Sequence, residues 1–425
     1  MTEPRQTPNP DLTRRRFLQG TAMAGVATFI AACTGTKSGA SSAPSTAVGP
    51  STAPEASTPV ASVAPTATPA PTPKVVSGPL KFANWPAYID LAGAAGEAGA
   101  YKPGSSPTLE QFQKQYNVKV DYEEKIGENA AFVETIKPAL VGGLPTGWDL
   151  VVLTDWMASK IVANKWAEKI DQDNVPNCTG NLRDALRNAS WDPGNDFHYP
   201  WQSGMTGIGY NATALKNNNI PVPTKIADLW NMPPDKVTFL TEARDTFGLV
   251  LLKLGINADE TTVTADQLQQ AADAIQPLVD GGLRFTGNEY LQDFGQKKVW
   301  GAMVWSGDLA SSAGPDDHFV FPDEGTMIWT DNMLIPKGAA NKYTAELMMN
   351  WCYDPKIAAQ IADYVFYVSP VKGADVEIKK IDAAAATNPL LFPSADIVAK
   401  QHKFQALSDA NEKVMNDLYS KLSGT

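Results

Sequence analysis

Four short segments of the chain place an aromatic side chain close to a carboxylate, a hydroxyl or an amide. They are Asn84–Tyr88, Thr154–Trp156, Trp305–Asp308 and Trp329–Asp331. A carboxylate neutralises an ammonium group through a charge-assisted hydrogen bond, and the face of an indole or phenol ring attracts a cation. The same rings bury methylene groups, which is favourable in water. This combination of residue types predicts a site for a small cation with an apolar body.

Signatures of metal, nucleotide and nucleophilic chemistry are missing from the sequence. The chain has only three histidines and three cysteines, and it contains no C-x-x-C, H-E-x-x-H, G-x-x-x-x-G-K-[ST] or G-x-S-x-G motif. Covalent catalysis needs a nucleophile with a base beside it. We therefore expect no enzymatic activity, no cofactor and no bound metal ion.

The charge of the chain argues against nucleic acid as a partner. The 425 residues carry a formal net charge of −11 at neutral pH. Binding to nucleic acid requires a surface rich in Lys and Arg, and the excess of Asp and Glu in this chain argues against such a surface. A small cationic partner agrees with the acid excess.

Strand and helix patterns alternate from about residue 79 onward, and they position the four segments. The predicted strands are 80–85, 118–122, 148–153, 299–305 and 326–336; the predicted helices begin with a capping box at 108–111 and continue at 131–141, 267–279, 355–364 and within 395–421. Strands separated by helices predict the α/β class with a parallel sheet. Ligands of such sheets bind at the carboxyl ends of the strands, where the four segments lie. About 350 residues of this pattern exceed one ordinary sheet, so we expect two lobes.

The first 33 residues carry two export signals. Thr13–Gln19 matches the twin-arginine pattern, which directs a folded protein across the membrane. Phe17–Ala32 is apolar but too short for a typical membrane-spanning helix. Ile30–Cys33 matches a lipobox, in which the cysteine is lipidated and becomes the new N-terminus. We therefore expect residues 1–32 to be a signal peptide and Cys33 to anchor the chain to a membrane, in the periplasm or at the outer face of the cytoplasmic membrane; an ordinary signal peptide with an incidental cysteine is the alternative.

A linker of biased composition follows the lipobox. Of the 42 residues from 34 to 75, 35 are Ala, Pro, Ser, Thr or Gly, and none is aromatic. Such a segment buries too little apolar surface to offset its ordering entropy, and its prolines stiffen it. We therefore predict that residues 33–78 form an extended tether to the globular part. The sequence does not decide whether the remaining cysteines, Cys178 and Cys352, form a disulfide, and it favours two buried free thiols over a disulfide.

Seven segments, in this order, resemble the spermidine/putrescine-binding proteins of bacterial ABC transporters. They are 82–88, 148–152, 206–211, 240–245, 305–308, 329–331 and 365–367. The resemblance covers nearly all of 79–425. It implies a two-lobed α/β fold of the periplasmic-binding-protein type, with a hinge and a ligand cleft between the lobes. Lobe 1 would comprise 79–204 plus 329–375, and lobe 2 would comprise 205–328 plus 376–425.

The same resemblance implies ligand-binding roles for twelve residues. The aromatic residues are Trp85, Tyr88, Trp156, Trp305, Trp329 and Tyr367; the acids are Glu242, Asp245, Asp308 and Asp331; the polar contacts are Thr154 and Gln405. By this resemblance the chain is a monomeric receptor that traps putrescine or spermidine by hinge closure. It would deliver the polyamine to the permease of an ABC transporter.

Two features depart from the resembled family. Ala87 stands where the family often has an acidic residue, so one amine contact is either missing or supplied by Asp155. An insertion at about Asp90–Ser106 has the composition of a surface loop and lies close enough to the first segment to alter the entrance. Another organic cation or an amino-acid derivative is therefore the alternative ligand. A surface sensor or adhesin is the alternative role.

Overall fold

Alternating apolar residues and helix-starting residues divide the globular part into short strands and helices. The computed structural model describes residues 74–90, 106–257, 263–312, 314–403 and 407–424. The predicted signal peptide, Cys33, nearly all of the tether and Gln405 lie outside these residues, as does most of the predicted insertion.

The described residues form ten strands and fourteen α-helices. The strands are β1 (Leu80–Asn84), β2 (Val120–Glu124), β3 (Leu150–Thr154), β4 (His198–Asn211), β5 (Val237–Leu240), β6 (Arg284–Thr286), β7 (Gly301–Trp305), β8 (Asp317–Val320), β9 (Thr326–Leu334) and β10 (Gln401–His402). The helices are α1 (Pro107–Tyr116), α2 (Asn129–Val141), α3 (Asp155–Ala163), α4 (Pro176–Asn181), α5 (Ala212–Asn217), α6 (Ala243–Lys253), α7 (Ala265–Asp280), α8 (Tyr290–Gly295), α9 (Ser306–Ser312), α10 (Lys342–Cys352), α11 (Pro355–Val365), α12 (Ala374–Ile378), α13 (Ala395–Val398) and α14 (Asp409–Ser423).

One sheet connects two groups of parallel strands. β1 pairs in parallel with β2 and β3, and β5 pairs in parallel with β6 and β7. The long strands β4 and β9 join the two groups and pair antiparallel with each other. Strand β9 also pairs antiparallel with β3, and β4 pairs antiparallel with β7. The sheet is therefore mixed, whereas the sequence pattern predicted only parallel strands.

The register of β4 and β9 brings the carboxyl ends of both groups together. Thr154 at the end of β3 pairs with Asp331, which in turn pairs with Gln202 of β4. Trp305 at the end of β7 pairs with Thr206 of β4. Because Gln202 and Thr206 are only four residues apart, the strand ends of the two groups converge on the middle of β4.

The hydrophobic residues divide into separate cores on the two sides of this midpoint. One core contains residues of 208–309 together with Met327 and the C-terminal helix α14. Two others contain residues of 80–201 and of 333–374. Both β4 and β9 therefore pass from one core to the other, as the connecting strands of a two-lobed fold do. The lobe boundaries stay a prediction; a fourth, small cluster joins Ala359 and Ala362 to Leu391, across the boundary predicted at 375.

Local differences from the sequence prediction have local causes. The N-cap of helix α1 is Ser106, two residues before the predicted N-cap Thr108, because Ser106 accepts a hydrogen bond from the backbone of Leu109 and Pro107 occupies the first turn. Cys178 and Cys352 are both buried and unbonded, which confirms two free thiols. Among the described residues, no helix combines the length and apolar character needed to cross a bilayer.

Candidate functional site

A cavity of about 210 Å³ lies where the strand ends of the two groups converge. The residues that reach it from the strand ends are Trp85 after β1, Glu128 after β2, Thr154 at the end of β3, Glu242 after β5, Asn288 after β6 and Trp305 at the end of β7. Ten of the twelve predicted residues line this cavity: Trp85, Tyr88, Thr154, Trp156, Glu242, Asp245, Trp305, Trp329, Asp331 and Tyr367. We call it the inner cavity.

Asp331 is an acid of the cavity that two hydroxyl groups on the side of the first strand group hold in place. The Tyr88 hydroxyl donates to its Oδ2 at 2.8 Å, and the Thr154 hydroxyl donates to its Oδ1 at 2.7 Å. The amide of Asn129 holds Thr154 in place through two hydrogen bonds. Burial raises the pKa of Asp331 to about 7, although both hydroxyl groups oppose that shift. The carboxyl group is thus positioned by neutral donors.

Asp245 occupies the corresponding place in the second group. The indole Nε1 of Trp305 donates to its Oδ2 at 2.7 Å, and the Thr206 hydroxyl donates to its Oδ1 at 2.8 Å. It lies in the first turn of α6, where the positive end of the helix dipole favours a negative charge. Burial nevertheless raises its pKa to about 6. Among the described residues, neither Asp245 nor Asp331 forms an ion pair with Lys or Arg.

Two further carboxyl groups meet across the cavity. Glu242 precedes α6, and Glu128 follows β2; both line the inner cavity, close enough for the charge of Glu128 to act on Glu242. Burial raises the pKa of Glu242 to about 8, and the charges of Glu128 and Asp245 raise it further. Two facing carboxyl groups share a proton because they cannot both ionise at low cost.

The aromatic rings form a wall whose shape depends on two glycines. Trp329 and Tyr367 meet edge to face with ring centres 5.2 Å apart, and Tyr88 meets Tyr367 in the same way at 5.5 Å. A Cβ at Gly204 would lie 2.2 Å from the Trp329 indole, and one at Gly307 would lie 2.5 Å from the Tyr367 ring. Only glycine leaves room for these rings, because a Cβ at that distance overlaps them.

Trp156 and the residues around it close one side of the inner cavity. The guanidinium of Arg244 lies 4.6 Å from the centre of the Trp156 indole, within the range of a cation–π interaction. Arg244 also pairs with Glu412 at 3.1 Å. Asp155 lines the cavity and pairs with Lys403 at 2.6 Å. Asp155 therefore has a protein cation beside it, unlike Asp331 and Asp245.

Asp308 does not line the cavity, although the sequence predicted that it would contact the ligand. It is fully buried behind the aromatic wall and accepts hydrogen bonds from Tyr367 at 3.0 Å, Tyr290 at 2.8 Å and the Asn288 amide. Its carboxylate orients Tyr367 and Asn288, both of which do line the cavity. We correct its predicted role from a direct contact to a positioning residue.

Several residues of the cavity were missed in the sequence. They are Glu128, Asn129, Arg244, Asn288 and Met327. Arg244 lies within the segment 240–245, so its position two residues after Glu242 could have indicated that it lines the cavity. Glu128 and Asn288 follow β2 and β6, whose ends carry no aromatic residue to mark them. Ala87 is buried, with a positive φ of 53° and its amide donating to Glu124, and it brings no acid to the cavity.

The inner cavity thus combines two buried aspartates held by neutral hydrogen-bond donors, the half-buried Glu242, and indole and phenol rings packed edge to face. Among the described residues, no group of three or more His, Cys, Asp or Glu side chains is arranged to hold a metal ion. The arrangement suits an organic cation, because ammonium groups can approach the acids while the rings cover the carbon chain.

Known proteins with similar sequences and folds agree with this architecture. A spermidine/putrescine-binding periplasmic protein of Salmonella typhimurium is 28% identical over 346 residues, which are 81% of this chain and 91% of that protein. The putrescine-binding periplasmic protein PotF of Escherichia coli is 27% identical over 74% of this chain and 87% of its own length. The structure of the spermidine/putrescine ABC transporter substrate-binding protein PotD from Streptococcus pneumoniae has a TM-score of 0.65 at 24% identity, covering 81% of this chain and 98% of that one.

These findings confirm the predicted two-lobed α/β fold of the periplasmic-binding-protein type. The family model for bacterial extracellular solute-binding proteins matches residues 108–392, about two thirds of the chain. This protein therefore belongs to the family of bacterial extracellular solute-binding proteins.

Proposed function

We propose that this protein captures a polyamine, putrescine or spermidine, outside the cytoplasm and delivers it to the permease of an ABC transporter. The observation that carries the proposal is a set of three acids beside aromatic rings in one cavity: the buried Asp331 and Asp245 and the half-buried Glu242. The names of the similar proteins support the same ligand class. We propose the predicted monomer as the functional form.

The energetics of this cavity favour a polyamine over a neutral chain or a compact cation. A charge-assisted hydrogen bond contributes about 1.5–3 kcal/mol, and a desolvated cation–π contact contributes up to about 2 kcal/mol. Each buried methylene adds about 0.8 kcal/mol. A neutral chain leaves the acids without a partner, and a compact cation leaves the rings uncovered. Only a ligand with separated charges along an apolar chain uses both.

The placement of the acids supports closure around the ligand. Asp331 is held by residues of the first strand group, and Asp245 by residues of the second. A ligand that contacts both acids gains its full binding energy only when the two groups are close, so it stabilises the closed form. The lobes predicted at 79–204 plus 329–375 and at 205–328 plus 376–425 would then move about β4 and β9.

Calorimetry of the purified full chain with putrescine, spermidine and spermine tests the ligand class. We expect saturable binding of at least one of them well below about 1 mM. Mass spectrometry of the released ligand should return it unchanged, because we propose a binding protein and not an enzyme. Absence of saturable binding of all three would contradict the polyamine proposal, and a chemically altered ligand would contradict the absence of catalysis.

One observation favours the alternative of an amino-acid derivative. Arg244 lines the inner cavity close to Glu242, and a guanidinium can bind a carboxylate in a bidentate manner. Its ion pair with Glu412 and its contact with Trp156 leave the polyamine as the better match. Calorimetry with an ω-amino acid of the same length as putrescine distinguishes the two ligand classes. Tighter binding of the amino acid than of putrescine would favour the amino-acid derivative.

We propose that the chain is exported by the twin-arginine route and anchored by a lipid on Cys33. The support is the order of the two signals and the tether of biased composition that follows them. A Cys33→Ala variant should pass from the membrane fraction to the soluble extracytoplasmic fraction. A Cys178→Ala variant is the matched control and should stay with the membrane. Retention of Cys33→Ala in the membrane would contradict the anchor.

A further inference from the structure

We propose that Glu128 and Glu242 together receive one ammonium group of the ligand, and that this pair makes a triamine the preferred polyamine. The inference rests on the proposed polyamine function and names its ligand more closely. It assigns a binding role to Glu128, which the sequence motifs did not mark.

The position of Glu128 directs its side chain toward the cavity. It follows β2 and precedes the first residue of α2, yet its side chain caps no helix amide. The neighbouring Asn129 is committed to Thr154 through two hydrogen bonds. Glu128 instead accepts a hydrogen bond from the Thr241 hydroxyl at 3.3 Å, and it lines the inner cavity together with its second partner, Glu242. Both partners belong to the opposite strand group, so Glu128 reaches across the inner cavity.

The surroundings of this pair have a surplus of negative charge. Glu289 and Asp245 add to the negative potential at Glu128 and Glu242, respectively. The nearby cation, Arg244, is held by Glu412 and by the Trp156 ring. In the empty cavity a shared proton relieves the repulsion between the two carboxyl groups. An ammonium group can replace that proton and donate hydrogen bonds to both carboxylates.

The number of acid positions determines how many ammonium groups the cavity can match. Asp331 and Asp245 provide two positions, each fixed by neutral donors, and the Glu128–Glu242 pair provides a third. A diamine satisfies at most two positions, whereas a triamine can satisfy three. Ala87 contributes no acid, so Glu128 supplies a carboxylate that the first segment lacks.

The test compares spermidine and putrescine on a Glu128→Gln variant of the full chain by calorimetry at about pH 8, where the shared proton is easily displaced. We expect spermidine affinity to fall by roughly tenfold or more, and putrescine affinity to fall by less than about threefold, since only spermidine uses the third position. Glu123→Gln removes the same charge from the exposed face of β2 and should change neither affinity. The unmodified chain should bind spermidine more tightly than putrescine.

Three outcomes would overturn the inference while leaving the polyamine function intact. They are equal losses for the two ligands in Glu128→Gln, no loss for either ligand, and a preference of the unmodified chain for putrescine. Failure of the unmodified chain to bind any polyamine would overturn the proposed function itself. Because Glu128 is an exposed side chain that caps no helix, the variant should fold normally, which its melting temperature checks.

Discussion

The inner cavity and a second cavity share a wall but balance their acids in different ways. The second, which we call the outer cavity, has a volume of about 520 Å³ and lies between α2, α3, α6 and α14. Glu128, Trp156, Glu242 and Arg244 line both. In the inner cavity Asp331 and Asp245 accept hydrogen bonds from hydroxyl and indole groups. In the outer cavity Glu412 pairs with Lys160 at 2.5 Å and with Arg244 at 3.1 Å.

This difference separates an acid that protein cations neutralise from the acids that we propose bind the ligand. Glu412 on α14 joins α3 of the first strand group to α6 of the second, so its charge is already neutralised within the fold. Neutralising Asp331 and Asp245 requires either a proton or an external cation, because their protein partners carry no charge. Acidic composition alone does not distinguish these two cases, whereas the partners of each carboxylate do.

The largest expected effect is the loss of polyamine affinity in Asp331→Asn. This change removes a buried charge that we assign to an ammonium group, and truncation of such a pair costs at least about 2 kcal/mol, or roughly 30-fold in affinity. The free energy of unfolding should change by less than about 1 kcal/mol, since amide and hydroxyl groups can still hydrogen-bond. Calorimetry and urea unfolding measure the two quantities. Asp121→Asn on the exposed face of β2 is the matched control.

Glu412→Gln should give the converse result and so completes the comparison. Loss of the shared charge leaves Lys160 and Arg244 less well balanced and should lower the free energy of unfolding by about 1–3 kcal/mol. Polyamine affinity should change by less than about threefold, because Glu412 does not line the inner cavity. Asp417→Asn removes an exposed ion pair from the same helix and should have little effect. If Glu412→Gln lowered the free energy of polyamine binding by more than the free energy of unfolding, the distinction between Glu412 and the acids of the inner cavity would be contradicted.

A smaller, graded effect is expected from pH. The pKa values of Glu242, Asp331 and Asp245 in the empty protein are raised to about 8, 7 and 6. An ammonium group lowers them, so binding releases protons and affinity rises with pH up to about 8. Between pH 8 and 7 affinity should fall by about tenfold. Calorimetry in buffers of different ionisation enthalpy would detect the released protons. Affinity that does not change between pH 6 and 8 would contradict the assignment of these acids to the ligand.

The same shifts have the opposite consequence for stability. A carboxyl group whose pKa is raised on folding binds its proton more tightly in the folded state than in the unfolded state. The empty protein therefore loses stability as the pH rises from about 4 to about 8 through the raised values, whereas a bound polyamine removes this loss because it keeps the acids ionised. This opposition agrees with acids that are positioned for a ligand at some cost to the fold.

Much of the fold and the site followed from the sequence because strand ends carry recognisable residues. Trp85, Thr154 and Trp305 lie directly at the ends of apolar strands, so their convergence in a parallel sheet was predictable. The antiparallel course of β4 and β9 was not, since pairing direction depends on residues far apart in the chain. Asp308 shows the same limit, because its partner Tyr367 is 59 residues away.

The sequence alone determined the class of the protein, the residue types of its cavity and their order along the chain. It could do so because the spacing of hydrophobic residues and the residues at strand ends depend only on neighbours in the sequence. Only the tertiary structure decided which acids line the inner cavity and which are neutralised by protein cations. Glu128, Glu242 and Glu412 are chemically alike in the sequence. Their different roles arise because burial and the neighbours that long-range packing provides set the cost of each negative charge.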